Sequence, residues 1–219
     1  MLNSINYDVG KIRFEGINAF DEYREPELHQ ANLLWKEGKY KGALLCYDSV
    51  IAISTKQLRV LELKVACLNK LRLLQKLFRA NKVWTINGCQ QLIDLYDGYL
   101  KTLEEMERTL RKRDNATITV LDAKSSLLIE KGKLIENLTD ITTAIPIYEA
   151  VLRLINNMID LNPTYSREYY WKAIHLSRMR RDSEALLALA TAKELTTDTS
   201  LLEDIEEAFE VIGKGGRFF

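Results

Sequence analysis

The residue types that could carry catalysis or bind a metal are few in this sequence, and they are not spaced for either. The two histidines, His29 and His175, do not follow a glutamate by three residues, which excludes the Glu-x-x-His pattern of di-iron helical bundles. The cysteines Cys46, Cys67 and Cys89 show no Cys-x-x-Cys spacing, so a zinc site built on paired cysteines is not expected. We therefore predict no metal and no cofactor.

Nucleophile and phosphate-binding motifs are missing as well. No serine lies in a Gly-x-Ser-x-Gly turn, and the only dense glycines follow the last predicted helix, where a loop-then-helix phosphate site cannot form. The sequence therefore predicts that the chain is not an enzyme. An enzyme with site residues scattered along a helical chain stays open, and a cavity that collects two or more titratable groups with shifted pKa values would support it.

The most distinctive chemical feature is a basic segment, residues 56–82, which holds eight basic residues and one acid, Glu62. Its members Arg72, Lys76 and Arg79 fall on one face of a predicted helix. One interpretation is a docking surface for an acidic partner, either a protein segment or a phosphate backbone. The other is a solvated face that acids elsewhere in the chain offset. Few aromatic residues lie among these cations, which weakens the nucleic-acid version.

The composition favours a helical protein. Of the 219 residues, 47% are hydrophobic and 28% are charged, while only 10 are glycine and 3 are proline, too few turn formers for a many-stranded sandwich. No apolar run approaches the ~20 residues of a membrane span, and the N-terminus lacks the pattern of a signal peptide. Together with an odd number of unpaired cysteines, this predicts an intracellular, cytoplasmic location.

Apolar residues recur at spacings of three and four along most of the chain, which predicts a succession of helices. Residues 26–53 read as two antiparallel helices around Gly38, and Pro146 and Pro163 are expected to start and end a later helix. The further predicted helices span 56–70, 72–85, 89–112, 117–143, 166–179, 183–195 and 200–212. The two longest of them form a long helical hairpin.

A period of 34 residues relates parts of the chain, with small residues where paired helices would touch. Counting from position 24, Ala31 is eighth, Gly38 fifteenth, Tyr40 seventeenth and Ala43 twentieth. This pattern resembles the tetratricopeptide repeat, a helix-turn-helix unit, and the run WKEGKYKGALLCYDSVIAI is its strongest match. The resemblance implies an all-α, right-handed stack of antiparallel helix pairs, with a longer central hairpin and a C-terminal capping helix.

The domain organisation follows from this resemblance. We expect an N-terminal arm, a single helical-repeat domain and a flexible tail. In the order of the chain, these are the arm 1–23, the domain 24–212 with matching units 24–57, 132–165 and 166–199, an irregular stretch 58–131, the capping helix 200–212 and the tail 213–219.

The resemblance also implies a binding groove, because the first helix of each tetratricopeptide unit lines a concave surface. The positions that would face it are His29, Asn32 and Lys36 in the first unit and Arg167, Tyr170, Trp171 and Arg178 in the last. Leu28 and Leu63 stand where the carboxylate clamp of chaperone-binding members needs Lys and Asn, so that role is not expected. The expected function is a non-enzymatic adaptor that binds a partner peptide or helix. The alternative is a nucleic-acid-associated protein that uses segment 56–82.

Overall fold

A computed structural model of the chain describes residues 26–80, 86–110 and 114–216. The predicted arm, 1–23, and the end of the predicted tail, 217–219, lie outside the described residues. Within them the chain is helical and no strand occurs, so the all-α prediction is confirmed. The helices are α1 (Pro26–Lys36), α2 (Tyr40–Gln57), α3 (Val60–Ala80), α4 (Ile86–Leu110), α5 (Asp114–Leu138), α6 (Ile141–Leu161), α7 (Ser166–Arg178), α8 (Asp182–Leu195) and α9 (Thr199–Gly213).

The turn between α1 and α2 forms where the sequence predicts it. Gly38 adopts φ +76°, a conformation that a residue without a Cβ reaches at little cost. The amides of Gly38 and Lys39 then donate to the carbonyls of Trp35 and Leu34, over 3.0 and 2.8 Å, which closes the last turn of α1. Gly38 therefore ends α1 and lets α2 fold back within three residues.

The predicted break between helices 56–70 and 72–85 is wrong, since a single helix, α3, runs from Val60 to Ala80 through residue 71. Its buried residues Leu63, Cys67 and Leu71 continue one apolar face through the predicted break, and the sequence offers no glycine, proline or cap there. The interruption comes earlier, at Leu58, which takes the left-handed conformation with φ 57° at the end of α2.

The prediction that Pro146 starts a helix is also wrong. Helix α6 begins at Ile141, because the Asp140 side chain accepts a hydrogen bond from the amide of Thr143 over 3.0 Å and caps the first turn. Pro146 lies inside the helix, where its own side chain is exposed. The boundary predicted at residue 132 falls within α5 rather than between two helices.

Each described helix packs against the next one, and helices two apart also meet: α1 with α3, α3 with α5, and α7 with α9. The ion pairs Lys124–Glu107 and Lys131–Asp97 join α5 to α4 in opposite directions along the chain, as in the predicted long hairpin. The pairs Lys64–Asp122 and Arg72–Glu130 join α3 to α5 with one constant separation in sequence. Helices α3 and α5 therefore run side by side in the same direction.

The last helix, α9, covers one end of the described chain. Its apolar residues Leu201, Ile205, Ala208 and Ile212 are buried against α7 and α8. The acidic residues Glu203, Asp204, Glu206, Glu207 and Glu210 are exposed on its other side. A polar outer side of this kind suits the end of a stack of helices. Among the described helices, none has the length and apolar character needed to cross a bilayer.

Candidate binding surface

The residues predicted to line a groove on α1 and the basic residues predicted on α3 lie on neighbouring helices. The side-chain amide Nδ2 of Asn69 on α3 donates to Oδ1 of Asn32 on α1 over 3.1 Å, which joins the two helices at this point. Lys36 follows Asn32 by four residues and is exposed, and Lys76 follows Asn69 by seven and is exposed. Residues at these spacings share a helix face, so both lysines lie on the side where the asparagines meet.

Helix α5 continues this surface. Glu130 of α5 lies 3.8 Å from the guanidinium of Arg72 on α3 and 3.3 Å from the ammonium of Lys133 on its own helix. The Glu130 carboxylate therefore lies near two cations, one on each helix. Predicted residue Arg79, one turn beyond Lys76, is exposed.

Helix α7 meets α5 through the predicted groove residue Arg178. Its Nε lies 3.3 Å from Oε2 of Glu136, and its guanidinium lies 5.4 Å from the centre of the Tyr148 ring. The Tyr148 hydroxyl donates to the same Glu136 oxygen over 2.7 Å. Arg178 thus serves packing between α5, α6 and α7, and its side chain is only 11% exposed.

We call the exposed sides of α1, α3, α5 and α7, joined by these contacts, the odd-helix face. Its members are His29, Asn32, Lys36, Asn69, Arg72, Lys76, Arg79, Glu130, Lys133, Glu136 and Arg178. His29 is exposed and lies one turn before Asn32. The predicted groove residues His29, Asn32 and Lys36 therefore lie on one surface with the predicted basic set, whereas Arg178 packs between helices.

The two predicted groove aromatics have other surroundings. Tyr170 is 8% exposed and packs with residues of α8 and α9, because α9 lies on the side of α7 that the groove model leaves open. Trp171 is half-buried and packs against α6, and its ring meets that of Tyr170 edge-on at 5.3 Å. Arg167, in the first turn of α7, is half-buried. Tyr170 therefore belongs to the core and does not line an exposed groove.

Part of the basic segment is balanced within the chain. Lys64 pairs with Asp122 on α5 over 2.6 Å, and Lys70 pairs with Asp48 on α2. These contacts match the interpretation that internal acids offset the segment. Arg72 likewise lies near Glu130 on α5, and Lys82 lies outside the described residues.

Two buried titratable groups on α7 were missed by the sequence reasoning. Both ring nitrogens of His175 lack a hydrogen-bond partner, and the ring stacks between Trp171 at 6.5 Å and Tyr148 at 6.2 Å. Burial, and then the charges of Arg178 and Lys133, lower the pKa of His175 to about 3.

Glu168 is the second of these groups and is 7% exposed. Burial, followed by the charge of Asp122, raises the pKa of its carboxyl to about 7. The spacing of three, four and three between Glu168, Trp171, His175 and Arg178 is the signal that could have revealed this face. It predicts that these side chains point the same way, although it does not say that another helix covers them.

Neither group lines either of two shallow depressions on the surface of the described residues. A shallow depression of about 670 Å³ between α8 and α9 is lined by Ala190, Lys193, Glu194, Glu206 and Phe209. A smaller one of about 300 Å³ is lined by Tyr165, Ser166, Arg167, Leu195, Thr196, Thr197, Asp198 and Leu201. Within the part of the chain that the structure describes, no group of three or more His, Cys, Asp or Glu residues is placed to hold a metal.

Comparison of the sequence with protein-family models and with curated proteins finds no match. The odd-helix face is therefore the main structural evidence for function.

Proposed function

We propose that this chain is a non-enzymatic adaptor that binds an acidic segment of a partner protein along the odd-helix face. The observation that carries the proposal is the excess of cations on this surface. Lys36 and Lys76 have no carboxylate within ion-pair distance among the described residues, and Lys76 lies instead over the ring of Tyr40. An acidic segment would supply the missing negative charge.

The layout of the surface favours an elongated occupant. The cations lie on α1, α3 and α5, three alternate helices that meet in this order, and packed helices are typically about 8–10 Å apart. The surface therefore presents a row of positive charge rather than one concentrated pocket. The tetratricopeptide resemblance supports the same conclusion, since members of that family bind peptides across the first helices of their units.

A nucleic acid would also be attracted by this charge, but the aromatic residues give it less support. Single-stranded nucleic acids bind through exposed aromatic side chains as well as cations. Trp35 is half-buried against Tyr47, and Phe78 packs against the buried apolar residues that α3, α4 and α5 share. Binding of RNA is therefore treated as the alternative result in the experiment.

The test uses the full chain and a fluorescently labelled short peptide of L-glutamate, with an L-lysine peptide and a single-stranded RNA as competing probes. We expect the glutamate peptide to bind, and its affinity to fall steeply as the salt concentration rises. The double variant Lys36→Glu, Lys76→Glu should weaken binding about tenfold at low salt, because each exposed ion pair contributes up to about 1 kcal/mol and reversal adds repulsion.

The matched control is Lys41→Glu, Lys101→Glu, which makes the same change in net charge at exposed positions on α2 and α4. Equal weakening by both double variants would mean that net charge alone attracts the peptide, and the odd-helix face would lose its assignment. No binding of the glutamate peptide, or tighter binding of RNA through the same lysines, would also contradict the proposal.

A further inference from the structure

The groove between α8 and α9 has an apolar lining that is open to solvent. The short connection 196–198 turns α9 back along α8, and the two helices pack side by side. The depression of about 670 Å³ between them is lined by these two helices alone, with Ala190 on α8 and the ring of Phe209 on α9 as its apolar residues. Lys193 of α8 pairs with Glu206 of α9 across it over 3.2 Å.

Leu187 extends the apolar lining at the edge of this groove. Leu187, Ala190 and Glu194 follow one another at spacings of three and four, so they share one face of α8. The Leu187 side chain is 71% exposed, more than any other large apolar side chain of the described residues. Burial of this side chain together with the groove lining would stabilise a complex.

The surroundings of the groove are acidic. Residues 182–214, which include α8 and α9, hold nine acids and only two basic residues. Both of these cations form ion pairs with carboxylates of α9. Glu194 lines the groove, is exposed, and has no cation within ion-pair distance in residues 26–80, 86–110 and 114–216. A partner that covers this groove therefore needs positive charge beside its apolar residues.

We infer that the groove between α8 and α9 binds an amphipathic helix of a partner protein, one whose apolar stripe is bordered by lysine or arginine residues. The side chains of a helix fit the groove between two others, and an apolar face laid into an apolar groove is a common mode of recognition. The stripe would cover Leu187, Ala190 and Phe209, and the bordering cations would meet Glu194 and Glu206.

This surface is separate from the odd-helix face, because it is lined by α8 and α9 and carries the opposite charge. The inference therefore adds a second binding site and does not depend on the proposed function.

The experiment uses the full wild-type chain and a fluorescently labelled peptide, the stripe peptide, in which leucines at helical spacing form one face and lysines fill the other positions. We expect binding that weakens as salt rises but persists at high salt, since salt screens the charges and not the apolar contact. A scrambled peptide of equal composition, and a stripe peptide with glutamate in place of lysine, should each bind about tenfold more weakly.

A variant that fills the groove tests its location. Ala190→Trp places a large side chain in the depression and should weaken binding of the stripe peptide about tenfold. Ala52→Trp, the same change at an exposed position on α2, is the matched control and should leave binding unchanged. Thermal melts verify that each variant is folded.

Charge reversal provides a second variant at exposed positions, which stays informative if Ala190→Trp does not fold. Glu194→Lys, Glu206→Lys should weaken binding about tenfold at low salt and less at high salt. Glu104→Lys, Asp160→Lys makes the same change in net charge at exposed positions on α4 and α6 and should have a much smaller effect.

Three results would overturn the inference. The stripe peptide does not bind, the scrambled peptide binds equally well, or both charge-reversed variants weaken binding to the same extent. A fourth concerns the occupant: if light scattering shows a dimer of the wild-type chain that Glu194→Lys, Glu206→Lys dissociates, a second copy of the chain covers the groove and the assignment to a partner helix is wrong. None of these results changes the expected binding of glutamate peptides to the odd-helix face.

Discussion

Gly132 on α5 lies directly beneath the ring of Tyr148 on α6. A Cβ on Gly132 would lie 2.7 Å from Cε1 of Tyr148, closer than real side-chain contacts allow. The Tyr148 ring is held from other sides by the hydroxyl bond to Glu136 and by the His175 stack, so it cannot easily give way. The close approach of α5 and α6 therefore depends on a residue without a side chain.

Gly132→Ala is expected to destabilise the protein. Overpacking of a core contact costs about 1–3 kcal/mol, which exceeds the gain of up to about 1 kcal/mol from replacing a helical glycine by alanine. Gly98→Ala is the control, because Gly98 is also inside a helix but a Cβ there would meet nothing within 4 Å. Chemical denaturation should show a lower free energy of unfolding for the first variant and a higher one for the second. Stabilisation of both would mean that Tyr148 moves aside.

The second prediction concerns Arg178, which contacts Glu136 and the Tyr148 ring. Arg178→Ala would leave the Glu136 carboxylate, whose side chain is 18% exposed, without its cation, and removal of one partner of a largely buried pair costs about 2–4 kcal/mol. The control Arg153→Ala removes an exposed arginine from α6 and should have little effect. Denaturation midpoints check the difference. Equal, small effects would show that the pair contributes no more than a surface ion pair.

The sequence predicts helices wherever a local signal decides the outcome. Gly38 ends α1 because its backbone can adopt a positive φ, and the bounds of α7 and α8 lie within a few residues of the predicted ones. One error arises where two local signals compete. At the start of α6, the capping side chain of Asp140 sets the helix terminus and Pro146 is tolerated on an exposed side.

The binding surface was harder to predict, because it depends on which helices lie side by side. The cations of α3 are visible in the sequence, whereas their pairing is not: Arg72 meets Glu130, which is 58 residues away. The burial of Tyr170 depends on α9 packing against α7, a contact that a repeat pattern does not specify for a terminal helix. The amide pair of Asn32 and Asn69 likewise forms only when α1 meets α3.

The third prediction concerns the left-handed residue at the end of α7. Arg180 has φ 63° and an exposed side chain, so it bears the steric cost of this conformation without a compensating contact in the core. Arg180→Gly should raise the free energy of unfolding by about 0.5–1 kcal/mol. Leu58→Gly makes the same backbone change at φ 57°, but Leu58 packs against the buried apolar residues of α3, α4 and α5. A net decrease in the free energy of unfolding is therefore expected there. A loss at both positions would show that the backbone strain is negligible.

The fourth prediction concerns acid stability and His175. Its pKa is about 3 in the folded chain and near 6.5 when unfolded, so unfolding takes up a proton between these values. The contribution of His175 to the free energy of unfolding should therefore fall as the pH decreases from about 6.5 towards 3. His175→Leu removes this dependence. On unfolding between these pH values, the variant should take up about one proton fewer than the wild-type chain. His29→Leu, at an exposed position, should leave the profile unchanged.

The last prediction concerns Glu168 and has the opposite sign. The first turn of a helix favours an ionised carboxylate, but burial dominates here and raises the pKa to about 7, above the ordinary value of 4.5. A carboxyl whose pKa is raised by folding binds its proton more tightly in the folded state. Its contribution is therefore full below pH 4.5 and is lost as the pH rises through about 7.

Glu168→Gln keeps the shape and removes the titration, so its advantage over the wild-type chain should grow between pH 4.5 and 7 and stay constant above that range. Glu194→Gln removes an exposed acid from α8 and controls for the change in net charge. Denaturation of the three proteins across this pH range checks the prediction. If the two variants gain equally with pH, the effect belongs to net charge. If Glu168→Gln gains nothing, the Glu168 carboxyl is not held in its protonated form by burial.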